Sequence, residues 1–293
     1  MKKAIYYGLI LVLACVFLFS AWNLGSYYLG AAENDRLNDT LLQEMEQAKQ
    51  EPQPTVYITL PEPEKPTDPT DPAVTDPTQP ADPDSPTLPT VPPEQGHVIL
   101  PEYAKLYLRN NDLVGWITIE GTNINYPVMQ SPAEQNYYLY KNFDGEYSVR
   151  GSIYADEDCD VFTPSDNVVL YGHHMQDGSM FSALNNFDAK SYWQERKYIT
   201  FNTLLERHTY EIIAVFKTSA SVGEGFRYHQ FINAETEEEF NDFVATCKRL
   251  AFYDTGVSAE YGDKLITLST CEYTLTNGRL VVVAKRVDTN NNQ

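Results

Sequence analysis

A cysteine, an arginine and a histidine stand at the ends of three β-rich runs of this chain. Cys271 ends the run Thr267-Leu268-Ser269-Thr270, Arg279 opens the next run, and His173 follows the run Val168 to Gly172. A thiolate can attack a carbonyl, an imidazole can carry the proton, and a guanidinium can hold the negative charge that develops on oxygen. If the fold brings them together, the three residue types predict acyl transfer at a peptide carbonyl.

Cys271 is the thiol best suited to this chemistry. Cys15 lies within an apolar run, and Cys247 lies in a helical pattern, where a cysteine is usually a small buried hydrophobe. Cys159 stands in the acidic run Asp156 to Asp160, whose carboxylates are expected to raise the pKa of its thiol and make it a poor nucleophile.

Each of these residues also has an ordinary structural interpretation. Cys271 could be a buried residue that only packs in the core, Arg279 could be a solvated edge residue, and the pair His173-His174 could bind a metal. The spacing of cysteines and histidines matches no zinc motif, and the run Asp156 to Asp160 favours a solvated loop over a calcium site. We therefore expect no metal site and no cofactor.

The composition divides the 293-residue chain into four segments, of which the first is an apolar anchor. Residues 1–32 contain Lys2, Lys3 and the uncharged run Ala4 to Trp22, which is long enough to cross a bilayer as a helix. The two lysines predict a cytoplasmic N-terminus and an extracellular catalytic domain on a single-pass cell-membrane protein. A cleaved signal peptide is the rival interpretation, although the run is long for one and no clear cleavage site follows it.

The other three segments are a stalk, a linker and a globular domain. Residues 33–50 are polar, with apolar residues at helical spacing, and we expect a short helical stalk that acts as a solvated spacer. Residues 51–96 hold 14 of the 18 prolines and nine acidic residues, which predicts a disordered, extended linker. Residues 97–293 are enough for a real core. The net charge of −20 argues against nucleic acid as a partner.

The globular segment is predicted to be mainly β, which favours an antiparallel barrel or sandwich. The predicted strands are Val114–Ile119, Ile124–Met129, Gly151–Ala155, Val168–Gly172, Tyr198–Phe201, Thr209–Thr218, Leu265–Thr270 and Arg279–Val287. The predicted helices are Tyr103–Asn111, Phe181–Phe187, Tyr192–Arg196 and Thr236–Leu250.

The segment Thr267-Leu268-Ser269-Thr270-Cys271 resembles the Thr-Leu-x-Thr-Cys signature of the sortase family, and Gly172-His173 and Arg279 complete its His-Cys-Arg set. Further segments resemble class B sortases, namely Asp112 to Ile117, Ile124 to Val128, Gly178 to Phe181 and the helix Thr236 to Leu250. The resemblance covers residues 103–287. It implies a closed eight-stranded sortase-type β-barrel with an N-terminal helix and a long helix before the cysteine strand.

The resemblance also implies an activity, that of a membrane-anchored cysteine transpeptidase of a Gram-positive cell. Such an enzyme cleaves a C-terminal sorting signal, of the Asn-Pro-x-Thr-Asn or Leu-Pro-x-Thr-Gly type, after its threonine. The acyl group is held as a thioester and passed to an amine of a peptidoglycan precursor or of a pilin lysine. The implied partners are surface proteins that carry the signal, and the membrane through the N-terminal helix.

The roles implied by the resemblance fall on three residues. Cys271 is the nucleophile, His173 is the general acid and then base, and Arg279 steadies the oxyanion and the substrate. His173 is preferred to His174 because it directly follows Tyr-Gly and strand alternation puts neighbours on opposite faces. The residues expected to line the substrate groove are Tyr171, Ser269 and Thr270. The alternatives are a pilin-polymerising sortase, a secreted cysteine peptidase that hydrolyses, and an anchored binding domain with an inert cysteine.

Overall fold

The structure is a computed structural model that describes residues 2–60, 96–131, 134–221 and 223–287. Its helices are α1 (Lys2–Ala48), α2 (Ala104–Arg109), α3 (Lys190–Glu195) and α4 (Glu237–Leu250). Its strands are β1 (Tyr57–Ile58), β2 (His97–Val98), β3 (Leu113–Thr118), β4 (Asn125–Met129), β5 (Ile153–Ala155), β6 (Asn167–Tyr171), β7 (Tyr198–Thr203), β8 (Arg207–Ser219), β9 (Leu265–Glu272) and β10 (Gly278–Val287).

Eight of these strands close into a barrel in the order β10-β8-β7-β3-β4-β5-β6-β9. Each of the eight strands predicted from the sequence is present, so the closed eight-stranded barrel is confirmed. The expectation of a wholly antiparallel barrel is wrong, because β4 pairs with β5 and β6 pairs with β9 in parallel. Parallel neighbours need crossover connections, which are made by the long segments that follow β4 and β6.

The strands that carry the chemistry are buried on both faces. All but one residue of β9 is buried, and Leu280 to Ala284 of β10 are buried without interruption. One face of each strand lies toward the barrel interior, and the other is covered by helices and loops. This double burial explains why β10 reads as a continuous apolar run rather than as an alternating one.

Helix α4 lies where the longest helical pattern predicted it. The side chain of Thr236 caps its N-terminus by accepting a hydrogen bond from the backbone N–H of Glu239 at 3.2 Å. The first turn is acidic and the last turn is basic, in agreement with the helix dipole. Its buried residues, at helical spacing, are Phe240, Phe243, Val244 and Cys247. This face joins the core cluster that fills the barrel.

Helix α1 is one continuous helix from the apolar run to Ala48, and its polar half is not a solvated spacer. Leu41 and Met45 are buried in a second core cluster together with Tyr103 and Leu106 near α2. The expectation of a solvated spacer is therefore wrong, since apolar residues of this half pack on the globular domain. The apolar half of α1 is long and apolar enough to cross a membrane, with a mean hydropathy of 2.1 in its best window and no burial there.

A buried arginine also fastens α1 to the domain. Arg150, whose side chain is only 5% exposed, pairs with Asp35 of α1 and with Asp177 of the segment after β6. A small antiparallel sheet of β1 and β2 was not predicted from the sequence. The prediction of a disordered linker over residues 51–96 is wrong at its start, because Ile58 is buried and pairs with β2. Residues 61–95 of the predicted linker lie outside the described residues.

Candidate active site

Cys271, His173 and Arg279 line one cavity of about 450 Å³ at one end of the barrel. The other residues that line it are Gln135, Asn136, Leu139, Tyr154, Asp156, Glu157, Tyr171, Gly172, Ala220, Tyr228, His229, Ser269 and Thr270. The three residues come from β9, from the segment just after β6, and from β10. The fold thus collects the three reactive side chains that the sequence singled out.

Strand pairing explains how these residues meet. Cys271 of β9 lies directly opposite Arg279 of β10 in an antiparallel pair. On the other side of β9, Ser269 is the partner of Tyr171 in the parallel pair with β6. His173 is two residues beyond Tyr171, as Cys271 is two residues beyond Ser269, so the imidazole and the thiol reach the same level of the barrel.

The imidazole of His173 is held from two sides. Its Nε2 lies 2.8 Å from the carbonyl oxygen of Leu139, and its ring lies 5.4 Å from the ring of Tyr140, centre to centre. A carbonyl oxygen only accepts hydrogen bonds, so Nε2 carries a hydrogen in this contact. In the neutral ring, Nδ1 is then the nitrogen that can accept a proton.

His174 lies on the other side of the chain, as strand alternation predicted. It lines a separate cavity of about 340 Å³ rather than the cavity of Cys271. Its Nδ1 lies 3.1 Å from the backbone carbonyl oxygen of Cys271, and its ring stacks on Tyr273 with centres 5.1 Å apart. His174 therefore contacts the backbone of the cysteine strand from outside the cavity.

The predicted groove residues Tyr171, Ser269 and Thr270 all line the cavity. Tyr171 donates a hydrogen bond to Asp156 at 2.7 Å, and the hydroxyls of Ser269 and Tyr228 lie 2.6 Å apart. Burial, reinforced by the nearby Asp156 carboxylate, raises the pKa of the Tyr171 phenol, so this wall remains neutral. The buried Thr270 hydroxyl has no hydrogen-bond partner among the described residues.

Charge is distributed unevenly around the cavity. The carboxylates Asp156 and Glu157 follow β5, whereas Arg279 opens β10, three strands away in the barrel order. Burial lowers the pKa of His229, and Arg227 and Arg279 lower it further against the opposite effect of Asp156. His229 is therefore neutral at pH 7, and Arg279 is the one permanent cation among the described lining residues.

The loop that joins the cysteine strand to the arginine strand is fastened by Glu272. Its side chain is 5% exposed and accepts hydrogen bonds from the backbone N–H groups of Thr274 and Leu275 at 3.0 and 3.2 Å. The second carboxylate oxygen lies 2.9 Å from the ammonium of Lys217 on β8. The facing positions of Cys271 and Arg279 thus depend on a buried, paired carboxylate.

Asp156 to Asp160 form a loop whose carboxylates serve the local backbone. Asp160 accepts hydrogen bonds from the N–H groups of Phe162 and Thr163, and Asp156 accepts one from Asp158. Across the described residues no group of three or more His, Cys, Asp or Glu is arranged to hold a metal ion. Burial raises the pKa of Cys159 to about 12, in the direction expected from its acidic neighbours but mainly through desolvation.

Several residues of the site were not predicted from the sequence. Four of them lie far from Cys271 in the chain, namely Leu139, Asp156, Glu157 and Tyr228. The fifth, Glu272, is adjacent to Cys271 but belongs to no motif of its own. None of them carried a signal in the sequence, because acidic residues are ordinary between strands and the burial of Glu272 at the end of β9 is visible only in the structure.

Comparison with known proteins agrees with this geometry. The family model described as "Sortase domain" matches residues 117–287. Sortase B of Staphylococcus aureus (strain NCTC 8325 / PS 47) is 33% identical over 193 residues, covering 65% of this chain and 76% of that protein. Sortase B of Listeria monocytogenes serovar 1/2a (strain ATCC BAA-679 / EGD-e) is 34% identical over 189 residues, covering 64% and 74%.

A solved structure gives the same result for the fold. The Staphylococcus aureus sortase B–substrate complex superposes with a TM-score of 0.60 and 31% identity, covering 66% of this chain and 87% of that chain. Three observations point to the same family. They are the closed barrel, the cavity that contains cysteine, histidine and arginine, and the relatives, which are all of one class. The chain therefore belongs to the sortase family, as a class B sortase, and is a cysteine transpeptidase.

Proposed function

We propose that this protein cleaves a C-terminal sorting signal of the Asn-Pro-x-Thr-Asn or Leu-Pro-x-Thr-Gly type after the threonine and transfers the acyl group to an amine. The observation that carries the proposal is the cavity in which Cys271 faces Arg279 across β9 and β10 while His173 reaches the same level from β6. The acceptor is an amine of a peptidoglycan precursor or of a pilin lysine.

The first half-reaction forms a thioester. The thiolate of Cys271 attacks the threonine carbonyl carbon, and the carbonyl oxygen becomes an oxyanion beside the guanidinium of Arg279. The carbon–nitrogen bond then breaks, and the protonated imidazole of His173 gives its proton to the departing amine. The threonine acyl group remains on the sulfur, and His173 is left neutral.

The second half-reaction forms the new amide. The acceptor amine attacks the thioester carbonyl, neutral His173 takes a proton from that amine, and the carbon–sulfur bond breaks to restore the thiolate. The hydrogen bond from Nε2 to the Leu139 carbonyl supports this role, because it leaves Nδ1 as the nitrogen that takes up and returns the proton.

Arg279 suits the oxyanion because its donors are only partly used. Its Nη1 donates to backbone oxygens of Asn277 and Gly278 at 3.3 and 3.0 Å. The Nε and Nη2 hydrogens have no acceptor among the described residues, so they are available to a substrate. A guanidinium presents these donors as a rigid fork, which an ammonium group cannot reproduce.

The groove walls suit an extended peptide. Tyr171 and Ser269 provide a neutral wall on the face of Cys271, and Thr270 offers a hydroxyl without a protein partner among the described residues. A buried hydroxyl without a partner is costly, so a hydrogen bond to bound substrate or water would offset that cost. We assign these three residues to substrate binding.

Helix α1 supports an anchored enzyme. Its apolar half spans a bilayer, the lysines at its start hold the N-terminus in the cytoplasm, and the barrel lies outside the cell. The proposed segments are the anchor of residues 1–32, the stalk of residues 33–50, the linker of residues 51–96 and the catalytic domain of residues 97–293. The start of the linker is fastened to the domain through β1.

A peptide panel tests the proposal on the full chain in detergent. Four peptides begin with Leu or Asn and end with Gly or Asn, and products are measured with and without an added amine. Cleavage is expected for at least one peptide, with a peptide–amine conjugate when the amine is present. Hydrolysed product alone at every amine concentration would identify a peptidase instead.

Two variants and a matched control test the residue roles. Cys271→Ala abolishes cleavage, and Arg279→Lys lowers kcat by about 10²–10³-fold, the usual loss for an oxyanion donor. Arg286→Lys, on the same strand β10 but outside the cavity, keeps full activity. Absence of cleavage by the wild-type protein, with peptide binding unchanged in Cys271→Ala, would support the inert binding domain. Full cleavage by Cys271→Ala would refute the role of Cys271 as the nucleophile.

A further inference from the structure

The backbone ladder between β6 and β9 stops just before the reactive residues. Among the described residues, its last bond runs from the N–H of Gly172 to the carbonyl oxygen of Ser269 at 3.2 Å. Backbone groups two residues apart in a strand point to the same side, so the Cys271 carbonyl also points toward β6 and away from β10. In a continued parallel ladder, the next donor to that carbonyl would be the backbone N–H of His174.

The chain turns away after Gly172, and a side chain makes the missing bond. Within the described part of the chain, the backbone N–H of His174 does not donate to Cys271, and His174 instead forms an isolated antiparallel bridge with Met180. The imidazole of His174 points back toward β9, and its Nδ1 lies 3.1 Å from the Cys271 carbonyl oxygen. The side chain of His174 therefore occupies the place of the next ladder donor.

The hydrogen of the neutral His174 ring lies on Nδ1. A carbonyl oxygen accepts hydrogen bonds and cannot donate them, so the contact with Cys271 requires a hydrogen on this nitrogen. The side-chain amide of Asn185 lies 3.2 Å from the same Nδ1, and only its oxygen is compatible with that hydrogen. Protonation of the ring adds a hydrogen at Nε2 and leaves the one on Nδ1 in place. His174 thus holds the tautomer opposite to that of His173, and each tautomer is set by a backbone carbonyl.

A second pair of contacts joins His174 to the chain beyond Cys271. The ring of His174 stacks on that of Tyr273, with centres 5.1 Å apart and planes at 26°. The hydroxyl of Tyr273 donates a hydrogen bond to the backbone carbonyl of His174 at 3.2 Å. His174 is therefore bound to the end of β9 at Cys271 and at Tyr273.

We propose that His174 is a positioning residue, which holds Cys271 at the level of His173 by replacing a ladder bond between β6 and β9. The inference rests on the roles of Cys271 and His173 in the proposed function. His174 does not line the cavity of Cys271, so it acts through the backbone rather than on the substrate. Because His174 is adjacent to His173 in the chain, its bond to Cys271 sets the separation between the imidazole of His173 and the thiol. A displacement of about 1 Å between reacting groups can lower a rate by about 10²-fold.

Three substitutions at position 174 separate the hydrogen-bond donor from the ring. The side-chain nitrogen of asparagine is as many bonds from Cα as Nδ1 of histidine, so His174→Asn keeps the donor and loses the ring. In His174→Gln the nitrogen lies one bond further out, as Nε2 does, and His174→Phe keeps a ring that has no donor. The three variants therefore make different predictions for a donor and for a packing ring.

The test measures kcat and KM on the full-length protein with the peptide that is cleaved best. We expect His174→Gln and His174→Phe to lower kcat by about 10- to 100-fold, and His174→Asn to stay within about threefold of the wild type. KM is expected to change by less than about twofold in all three, because no groove residue is altered. This division between kcat and KM is the sign of a misplaced reacting group rather than of a damaged groove.

His97 offers a matched control, because it is an exposed histidine on β2 and does not line the cavity. His97→Asn and His97→Gln are expected to keep the wild-type kcat. The unfolding midpoint of each variant is measured alongside, and the rates are compared at a temperature where every variant is folded. A difference between His174→Asn and His174→Gln under these conditions reports the position of the donor.

Two results would overturn this inference. One is an equal kcat for folded His174→Asn and His174→Gln, and the other is full activity of His174→Phe, which would show that the ring only packs. Both results leave the cleavage by the wild-type protein, and so the proposed function, intact. If the wild-type protein cleaves no peptide, the proposed function is wrong, and the positioning role falls with it.

Discussion

The buried carboxylate of Glu272 is expected to stabilise the loop between the cysteine and arginine strands. Burial by itself raises the pKa of Glu272, but hydrogen bonds from Thr274 and Lys217 outweigh it and hold the pKa below its ordinary value of 4.5. The replacement Glu272→Gln keeps the shape and removes the charge. It therefore isolates the electrostatic part of this arrangement.

The burial and the partners of Glu272 set the expected loss of unfolding free energy in Glu272→Gln. Breaking a fully buried ion pair costs about 3–5 kcal/mol, and a hydrogen bond to a charged group contributes about 1.5–3 kcal/mol. Lys217 is 24% exposed, so water compensates part of its loss, and a glutamine oxygen still accepts one hydrogen bond. We expect Glu272→Gln to lower the free energy of unfolding by about 2–3 kcal/mol at pH 7. For a domain of this size, that is a fall in Tm of about 5–10 °C.

The effect depends on pH with a definite sign. Since the folded-state pKa of Glu272 is depressed, its contribution is fully present above the unfolded value near 4.5 and is lost as pH falls through the lower folded value. The difference between wild type and Glu272→Gln is therefore constant from pH 7 to about pH 5. It shrinks as the pH falls below 4.5 and through the lower folded-state value.

Thermal unfolding followed by near-UV circular dichroism at pH 7, 5, 4 and 3 measures this difference. A double-mutant cycle with Lys217→Met gives the coupling between the two residues, expected at about 1–2 kcal/mol. Glu120→Gln, at an exposed carboxylate in the turn between β3 and β4, is the control and changes stability by less than about 0.5 kcal/mol. A loss below about 0.5 kcal/mol for Glu272→Gln, or a loss of equal size at pH 3, would refute the reasoning.

Three further predictions concern the shape of the site, its thiols and its anchor. Gly151→Ala places a methyl group 2.3 Å from the carbonyl oxygen of Leu139, at a backbone φ of +57°. We expect Tm to fall and kcat to fall by at least about tenfold, because the Leu139 carbonyl that holds His173 is displaced. Unchanged kinetics would contradict the role of that carbonyl. A thiol reagent labels Cys271 in the native protein but leaves Cys159 unmodified, because burial raises the pKa of Cys159 to about 12. Mass spectrometry of the digested protein measures the labelled fraction of each cysteine. Arg150→Met removes the ion pair with Asp35 and so releases the polar half of α1. We expect the hydrogen-exchange rate of the backbone amides in that half to rise by at least about tenfold. An unchanged rate would show that apolar packing alone holds the helix.

Local sequence patterns predicted the pieces of this protein well. The alternating and apolar runs predicted each of the eight barrel strands, and the spacing of Phe240, Phe243, Val244 and Cys247 predicted α4. These signals are local, because side chains two, three or four residues apart share a face of the same element. The signature around Cys271 likewise lies within five consecutive residues and needs no tertiary contact to be recognised.

Patterns within single segments could not predict how the segments combine. The polar half of α1 reads as solvated because most of its residues are hydrophilic, and the partners that bury Leu41 and Met45 come from another part of the chain. The parallel pairing of β6 with β9 was also not predicted, since a strand's own sequence does not state the direction of its neighbour. Carboxylates such as Glu157 and Glu272 are unremarkable in sequence and take their role from the cavity or strand they occupy.

The sequence by itself therefore determined which elements form, which thiol carries the signature, and which family the chain resembles, because each of these depends on residues close together in the chain. Tertiary structure alone decided that the Leu139 carbonyl fixes the tautomer of His173, that Glu272 is buried beside Lys217 of β8, and that Glu157 faces the same cavity. These are contacts between distant segments, and they exist only once closure of the barrel has brought the strands together and removed the intervening water.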